Sequence, residues 1–255
     1  MTPTAPSSQP NATDDQLSDA GFGARIKVCG IVERAEIDLL AAQRVDFVGL
    51  WWGVPGGPHD LDRTRWRELA DAAAATGSLT PVLVTVAKDA EQLRETLEGS
   101  HVRWIQLHGY PTPGTIRKIK TIGVGGGPIR VIKVLHVRGG ECVEAPLLAS
   151  YEKAGVDVFL FDVVSEDGRV GSTGQAIDPA VVAPLADKLN RPFLLAGGIS
   201  AANRADYELL AAHPRFLGID VDTNARTQDG KISPENVEAI SRVWKEPAGN
   251  GDRNA

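Results

Sequence analysis

The stretch Arg25-Ile-Lys-Val-Cys-Gly30 is the first strand-like segment of this 255-residue chain. Ile26 and Val28 alternate with polar residues, which predicts a buried strand, and Gly30 marks the turn that ends it. Cys29 therefore lies at the carboxyl end of a strand, where a thiol is well placed for chemistry. A lone cysteine is more often a small buried hydrophobe, so the stretch by itself leaves both interpretations open.

Seven more apolar runs follow this strand, and each is followed by a helical pattern. The predicted strands are 25–30, 47–52, 81–86, 102–107, 130–134, 157–161, 192–196 and 216–221, and the predicted helices are 35–44, 63–76, 90–97, 115–120, 145–154, 179–189, 203–211 and 234–244. Eight strand–helix pairs with nearly continuous apolar strands predict an α/β protein with a single (β/α)8 TIM barrel. An open doubly wound sheet is the alternative, but no Gly-x-Gly-x-x-Gly follows the first strand.

The composition of the chain indicates where the predicted barrel begins and ends and which classes of partner are not expected. Residues 1–23 are rich in Pro, Ser, Thr, Asn and Asp, and residues 246–255 are similar, so we expect disordered extensions around a barrel at 24–245. The net charge of -6 gives no reason to expect nucleic acid or an anionic membrane as a partner. No apolar run approaches the roughly 18 residues of a membrane span, and two cysteines are too few for a disulfide framework. We therefore expect a cytoplasmic protein.

The active site of such a barrel is built after the carboxyl ends of the strands. The residues at those positions carry thiol, imidazole, carboxylate, hydroxyl or indole groups, or are glycines: Cys29, Trp51, Trp52, Thr85, His108, His136, Asp162, Gly197, Gly198, Asp220 and Asp222. Polar groups at the strand ends of one barrel converge in space. The sequence therefore predicts a reactive pocket at this end.

Five motifs in this chain together resemble the phosphoribosylanthranilate isomerase family of tryptophan biosynthesis. They are Lys27-Val-Cys-Gly-Ile31, Ile105-Gln-Leu-His-Gly109, Leu160-Phe-Asp162 with Gly171-Ser-Thr-Gly174, Leu195-Ala-Gly-Gly-Ile199 and Gly218-Ile-Asp-Val221. They occur in the family's order and at roughly its spacing. The resemblance implies an Amadori rearrangement of an N-linked aminoaldose to an aminoketose. It also implies a small-molecule substrate, no metal or organic cofactor, and a monomer or homodimer.

The resemblance also assigns roles to individual residues. It places the general base on Cys29 and the general acid on Asp162. Substrate contacts are expected from Lys27, Trp52, His59, Gln106, His108 and Asp220, and phosphate contacts from Gly197, Gly198, Thr223 and Asn224. Trp51 and Trp52 are bulky aromatic residues that could stack on a ring. Lys27 precedes Cys29 by two positions and so shares its face of the strand, where a cation would promote thiolate formation. His101 and His136 are expected to be structural or to lie at the surface.

The chain departs from the family pattern where the family holds its anionic substrate. A Ser-Pro-Arg element is replaced by Gly53-Val-Pro-Gly-Gly-Pro-His-Asp-Leu61, and the neutral imidazole of His59 cannot replace a bidentate guanidinium. Asp222 stands where the family has Ser, Asn224 where it has Gly, Gly230-Lys-Ile-Ser233 where it has Gly-x-Lys-Asp, and Gly171-Ser where it has Gly-Gly.

Asp222 raises a question of charge at this site. A carboxylate about 4 Å from a phosphate would be repelled by about 4 kcal/mol at an effective dielectric constant of ~20. Either Asp222 turns away, towards Arg226, or the ligand has no phosphate there.

The first hypothesis for the function is an isomerase of the family's own type. The alternatives are a diverged paralog acting on another, non-phosphorylated aminosugar or aromatic amine adduct, and a non-catalytic ligand-binding barrel.

Overall fold

The computed structural model describes residues 24–124, 127–164 and 176–245. The predicted disordered ends, 1–23 and 246–255, and the Gly171-Ser-Thr-Gly174 motif lie outside the described residues. Among the described residues, no helix is both long and apolar enough to cross a membrane.

Eight parallel strands form a closed barrel. They are β1 (Arg25–Cys29), β2 (Phe47–Trp51), β3 (Thr80–Thr85), β4 (Trp104–Leu107), β5 (Arg130–Arg138), β6 (Val158–Val163), β7 (Phe193–Leu195) and β8 (Phe216–Val221). The hydrogen-bonded order is β4-β3-β2-β1-β8-β7-β6-β5, and β4 pairs with β5 to close the ring. The predicted (β/α)8 barrel is confirmed, and the open-sheet alternative is wrong.

In the described part of the chain, eight α-helices surround the barrel: α1 (Arg34–Ala42), α2 (Arg63–Ala75), α3 (Ala90–Leu97), α4 (Pro113–Ile119), α5 (Leu148–Lys153), α6 (Pro179–Ala186), α7 (Glu208–Ala211) and α8 (Pro234–Lys245). Several begin at a side chain that satisfies the exposed backbone N–H groups. Asp62, Asp89, Thr112 and Asp178 each accept such a bond at the starts of α2, α3, α4 and α6. These caps fix where each connection from a strand ends.

Two apolar layers follow from the alternation of side chains along the strands. The larger layer lies between the barrel and its helices and contains Ile26 and Val28. The smaller layer includes Phe47, Trp104, Leu160 and Leu194, and Cys29 belongs to it. Because Lys27 and Cys29 occupy the alternate positions of β1, both point into the barrel.

Several predicted elements differ in extent, among them the helices predicted at 145–154 and 179–189, which are α-helical over Leu148–Lys153 and Pro179–Ala186. β5 continues to Arg138 instead of ending near residue 134, and its end pairs antiparallel with Glu141–Cys142. His136 is therefore a buried strand residue, and Glu144 accepts hydrogen bonds from its backbone N–H. The helix predicted at 203–211 is a 3₁₀ turn, Arg204–Tyr207, followed by the single turn of α7.

Candidate active site

The register between β1 and β2 makes room for the thiol. Cys29 pairs with Gly49, and Lys27 pairs with Phe47. A Cβ atom on Gly49 would lie 2.6 Å from Cys29 Sγ and 2.8 Å from Lys27 Nζ. Since real Cβ atoms do not approach other atoms so closely, glycine at position 49 is what allows the thiol and the ammonium group to lie side by side.

Lys27 joins the thiol to a carboxylate on the neighbouring strand. Its Nζ lies 2.9 Å from each carboxylate oxygen of Asp220 and 3.2 Å from Cys29 Sγ. The side chain of Lys27 is fully buried. Burial by itself lowers the pKa of Lys27, but the charges of Asp220 and Cys29 and their hydrogen bonds outweigh burial and raise it. Lys27 is therefore a permanent buried cation beside the sulfur.

The Cys29 thiol has two donors but a strongly buried position. Besides Lys27, the indole Nε1 of Trp51 lies 3.1 Å from the sulfur. Burial raises the pKa of Cys29 to about 12, an effect that Lys27 and the hydrogen bond from Trp51 oppose and that Asp220 and Asp222 reinforce. The electropositive neighbour expected from the sequence is present. Its effect on the pKa of Cys29 is smaller than that of burial.

Asp162 is the last inward-facing residue of β6 and lies near His108. Its Oδ1 accepts a hydrogen bond from the backbone N–H of Val163 at 2.8 Å. Its Oδ2 lies 3.4 Å from His108 Nε2, a close approach without an aligned hydrogen bond among the described residues. Gln106, two residues before His108, is 1% exposed, and its amide oxygen has no partner in the described part of the chain. These groups retain hydrogen-bonding capacity for a ligand.

The loops after β7 and β8 meet in one corner, which side-chain amides brace. Asn224 Nδ2 donates to the carbonyl oxygens of Gly198 and Ile199, both at 3.0 Å, and Asn203 Nδ2 donates to Gly198 at 2.9 Å. Gly197 and Gly198 have φ of 81° and 59°, a backbone conformation that favours glycine. Among the described residues, no acceptor takes a hydrogen bond from the backbone N–H of Gly198 or Thr223.

Asp222 is paired with Arg226, as one of the two sequence alternatives predicted. Arg226 Nε lies 2.7 Å from Asp222 Oδ1, and the same guanidinium donates to the carbonyl oxygens of Cys29 at 3.1 Å and Gly30 at 2.6 Å. His59 Nε2 lies 3.8 Å from Asp222 Oδ1, and burial lowers the pKa of His59. The charge of Asp222 is therefore balanced by Arg226, which also holds the turn after β1.

One pocket, with about 490 Å³ of space that is partly open to solvent, brings most of these groups together. It is lined by Cys29, Trp51, Gln106, His108, Asp162, Ala196, Gly197, Gly198, Ile199, Asp220, Val221, Asp222, Thr223 and Asn224. Of the residues expected to act in the site, Lys27, Trp52 and His59 are outside this lining, and so are the strand-end residues Thr85 and His136. Lys27 is buried next to Cys29, Trp52 packs against the outer apolar layer, and His59 stands beside Asp222.

Two residues contribute more to the site than the sequence predicts. Of the two adjacent tryptophans at the end of β2, Trp52 is the one expected from the sequence to contact the substrate, but Trp51 is the one that lines the pocket. Arg226 was considered as a partner of Asp222, but its bonds to the carbonyls of Cys29 and Gly30 depend on the fold. The Cys29–Gly49 pairing would have indicated Trp51, because residues 49 and 51 share a strand face.

A family model described as N-(5′phosphoribosyl)anthranilate (PRA) isomerase matches residues 27–243. The chain belongs to the PRA isomerase family. The matched range contains every described strand of the barrel except the first two residues of β1.

Curated relatives support the same assignment. The N-(5′-phosphoribosyl)anthranilate isomerase of Rhodopseudomonas palustris strain BisA53 is 30% identical over 220 residues, which cover 86% of this chain and 94% of that protein. The enzyme of the same name from Natronomonas pharaonis is 30% identical over 217 residues, covering 85% and 95%. The resemblance stated from five motifs is thereby confirmed.

Solved structures agree on the fold. N-(5′-phosphoribosyl)anthranilate isomerase from Pyrococcus furiosus aligns with a TM-score of 0.67 at 22% identity, covering 87% of this chain and 98% of that one. Monomers of the dimeric enzyme from Thermotoga maritima align with a TM-score of 0.69 at 19% identity, covering 87% and 98%. PRA isomerase barrels thus have the same architecture as the described part of this chain.

Proposed function

We propose that this chain isomerises N-(5′-phosphoribosyl)anthranilate, the activity that its relatives' names state for them. We further propose that the reaction is an Amadori rearrangement and that it serves tryptophan biosynthesis. We assign the general acid to Asp162 and the general base to Cys29. The observation that carries this assignment is that a thiol from β1 and a carboxylate from β6 line a single pocket. An aldose–ketose isomerisation needs one group to give a proton and another to take one from the same sugar.

Ring opening is the step for the acid. Asp162 gives its proton to the furanose ring oxygen while the bond from that oxygen to C1′ breaks. The nitrogen lone pair then forms the C1′=N bond of a protonated Schiff base. His108, whose Nε2 lies 3.4 Å from Asp162 Oδ2, is placed to contact the sugar beside it. The unpartnered amide oxygen of Gln106 can accept a hydrogen bond from a sugar hydroxyl.

Removal of the C2′ proton is the step for the base. Burial raises the pKa of Cys29 to about 12, so the free chain holds a neutral thiol. The protonated Schiff base places a cation in the pocket, and a nearby cation favours the thiolate. The Cys29 thiol releases its proton to solvent, and the resulting thiolate takes the C2′ proton while the electrons of the C–H bond form the enolamine, which tautomerises to the ketose. At the end Cys29 is again a thiol and Asp162 is a carboxylate, which regains its proton from solvent.

The substrate phosphate fits the corner between the loops after β7 and β8. Backbone N–H groups of Gly198 and Thr223 are the proposed donors, in the manner common at this corner of such barrels. The repulsion expected from Asp222 is reduced because Arg226 lies 2.7 Å from its carboxylate. Asn224 contributes by bracing the Gly198 loop with its side chain, since both protons of its amide face carbonyl oxygens.

The direct test is turnover of N-(5′-phosphoribosyl)anthranilate by the purified protein, with Cys29→Ser and Asp162→Asn as variants. We expect each substitution to reduce kcat by roughly 10²–10⁴-fold, the range that proton transfer by one positioned group contributes. Cys142→Ser is the matched control, since Cys142 is the other cysteine and does not line the pocket.

Absence of turnover by the unmodified protein would overturn the proposal. If the unmodified protein and Cys29→Ala bound the substrate equally tightly and neither protein converted it, a non-catalytic binding barrel would be favoured instead.

We further infer a cytoplasmic protein with its folded barrel at 24–245, in the form of a monomer or a homodimer. The Thermotoga maritima relative is dimeric by its own description.

A further inference from the structure

The sulfur of Cys29 receives a hydrogen bond from Trp51 as well as from Lys27. The distances are 3.1 Å from the indole Nε1 and 3.2 Å from the ammonium Nζ. The indole is 5% exposed and lines the same pocket as the thiol. Two independent donors on one buried sulfur are more than the packing of a core cysteine requires.

The sheet register explains how the indole reaches the sulfur. Cys29 lies opposite Gly49, and Trp51 is two residues further along β2, so its side chain leaves the same face. Gly49 has no side chain, and the space above it is open for the indole to approach the thiol. A larger residue at position 49 would also displace Cys29 itself, since its Cβ would lie 2.6 Å from the sulfur.

The loop after β2 holds the indole in this orientation. The ring of His59 meets it edge to face, with centroids 5.4 Å apart and planes at 80°. A Cβ atom at Gly57 would lie 3.0 Å from Trp51 Cζ3, so this turn lies directly against the ring. The backbone N–H of Leu61 donates to the Trp51 carbonyl at 3.0 Å. The stretch that departs from the family pattern is therefore the one that positions Trp51.

We propose that Trp51 is a further catalytic residue, whose indole N–H donates to the Cys29 sulfur and stabilises it while it acts as the base. The inference rests on the proposed role of Cys29. An indole suits the task because it is a donor only and cannot take a proton from the thiol. Lys27 divides its protons between the sulfur and both oxygens of Asp220, so the indole is the donor committed to sulfur alone.

The neighbouring tryptophan supplies a matched control. Trp52 precedes the same loop but packs against the outer apolar layer and is not part of the pocket lining. We therefore compare Trp51→Phe with Trp52→Phe, both in a Cys142→Ser background so that Cys29 is the single cysteine. Phe keeps an aromatic ring and removes the N–H group.

We expect Trp51→Phe to lower kcat about tenfold to a hundredfold, the range for a lost hydrogen bond to a charged group, with KM changed less. Alkylation of Cys29 by iodoacetamide at pH 8 should slow by a similar factor, because the thiolate is the species that reacts. Trp52→Phe should leave both rates within about threefold of the parent.

A kcat for Trp51→Phe within threefold of the parent would overturn the inference. Because the variant could fold poorly, the contact is also measured in the unmodified indole. The chain has five tryptophans, and Cys29→Ala should displace one indole N–H resonance in a ¹⁵N correlation spectrum far more than the other four. No displaced resonance would equally refute the contact.

The two proposals fail in distinguishable ways. If the isomerase assignment is wrong, the parent protein shows no turnover, yet the resonance and the alkylation rate still report whether the indole holds the sulfur. If only the Trp51 inference is wrong, the parent turns over, Cys29→Ser abolishes the reaction, and Trp51→Phe does not impair it.

Discussion

Two buried lysines in this barrel have similar partners and lie on opposite faces of their strands. Lys27 on β1 points into the barrel with Cys29 and Asp220, a group we call the sulfur cluster. Lys133 on β5 alternates with Ile132 and Val134 of the inner layer and so points outward. It bonds Glu144, which also bonds His136, and we call these three the hairpin cluster. The strand face on which each lysine lies decides which of the two ammonium groups reaches the interior of the barrel.

The two lysines also differ in their electrostatics. Both oxygens of Asp220 face Lys27 at 2.9 Å, and the pKa of Lys27 is raised. Glu144 divides its oxygens between Lys133 at 3.0 Å and the ring and backbone nitrogens of His136. Burial therefore lowers the pKa of Lys133, although Glu144 acts in the opposite direction. The sulfur cluster places a buried cation beside the Cys29 sulfur, whereas the hairpin cluster connects the end of β5 to the residues that follow it by hydrogen bonds.

The largest effect is expected from the variants Lys27→Met and Lys133→Met, which test this difference directly. Each change leaves a buried carboxylate without its cation, so we expect both to lower the free energy of unfolding by about 3–5 kcal/mol. In the fraction that remains folded, Lys27→Met should reduce kcat by roughly 10²-fold or more, the scale of one lost charge-assisted contact to a reacting group. Lys133→Met should leave kcat within about threefold. Urea denaturation and steady-state kinetics measure the two effects separately.

Equal losses of kcat in the two variants would show that the comparison is wrong and that the hairpin cluster also acts on the pocket. The route for such an effect is visible, because His136 Nε2 lies 3.0 Å from the backbone carbonyl of His108. The affinity of both variants for a substrate analogue would then show whether His108 had moved, since its side chain lines the pocket.

The sequence predicted the sulfur cluster in part because its key spacing is local. Lys27 and Cys29 are two residues apart on one strand, and that spacing is sufficient to place them together. The contact with Asp220 is 193 residues away, and it follows only from the β1–β8 pairing, in which Lys27 lies opposite Asp220. A family resemblance could supply both residues, but not the distance between them.

The choice between Trp51 and Trp52 could not be made from the sequence. In a parallel barrel both faces of a strand are buried, so hydrophobic alternation does not tell which residue faces inward. The register to Gly49 decides it. The length of β5 was missed for a related reason: His136 and Arg138 interrupt the apolar run, and the carboxylate that makes His136 a buried strand residue, Glu144, lies beyond the turn.

Alkaline pH tests the sulfur cluster through stability. Burial raises the pKa of Cys29 from 9.0 to about 12, so between these values the folded chain keeps a proton that the unfolded chain has released. The stabilising effect is complete below pH 9 and is lost as the pH rises towards 12. At pH 10.5 the loss is about 2 kcal/mol, from 1.36 kcal/mol per pH unit. Urea unfolding at pH 8 and 10.5 should show this loss in the parent and not in Cys29→Ser.

Cys142 is the control for that measurement. Burial raises its pKa as well, but it lies beside the hairpin and is more exposed than Cys29. We expect Cys142→Ser to retain most of the alkaline loss of the parent. If Cys142→Ser and Cys29→Ser removed equal shares of it, the sulfur cluster would not be the special site that the geometry indicates.

The smallest expected effect comes from His136→Gln in the hairpin cluster. His136 bridges Glu144, 2.6 Å from its Nδ1, and the His108 carbonyl, 3.0 Å from its Nε2. Gln is shorter than the bridge requires and can keep one of these contacts, so the variant should lose about 1 kcal/mol of unfolding free energy, the net value of one hydrogen bond. Because no group of the sulfur cluster is touched, kcat and KM should stay within about twofold. A fall in kcat larger than the fall in stability implies would mean that the His108 carbonyl contact positions the His108 ring for catalysis, and that the hairpin cluster acts on the pocket through it.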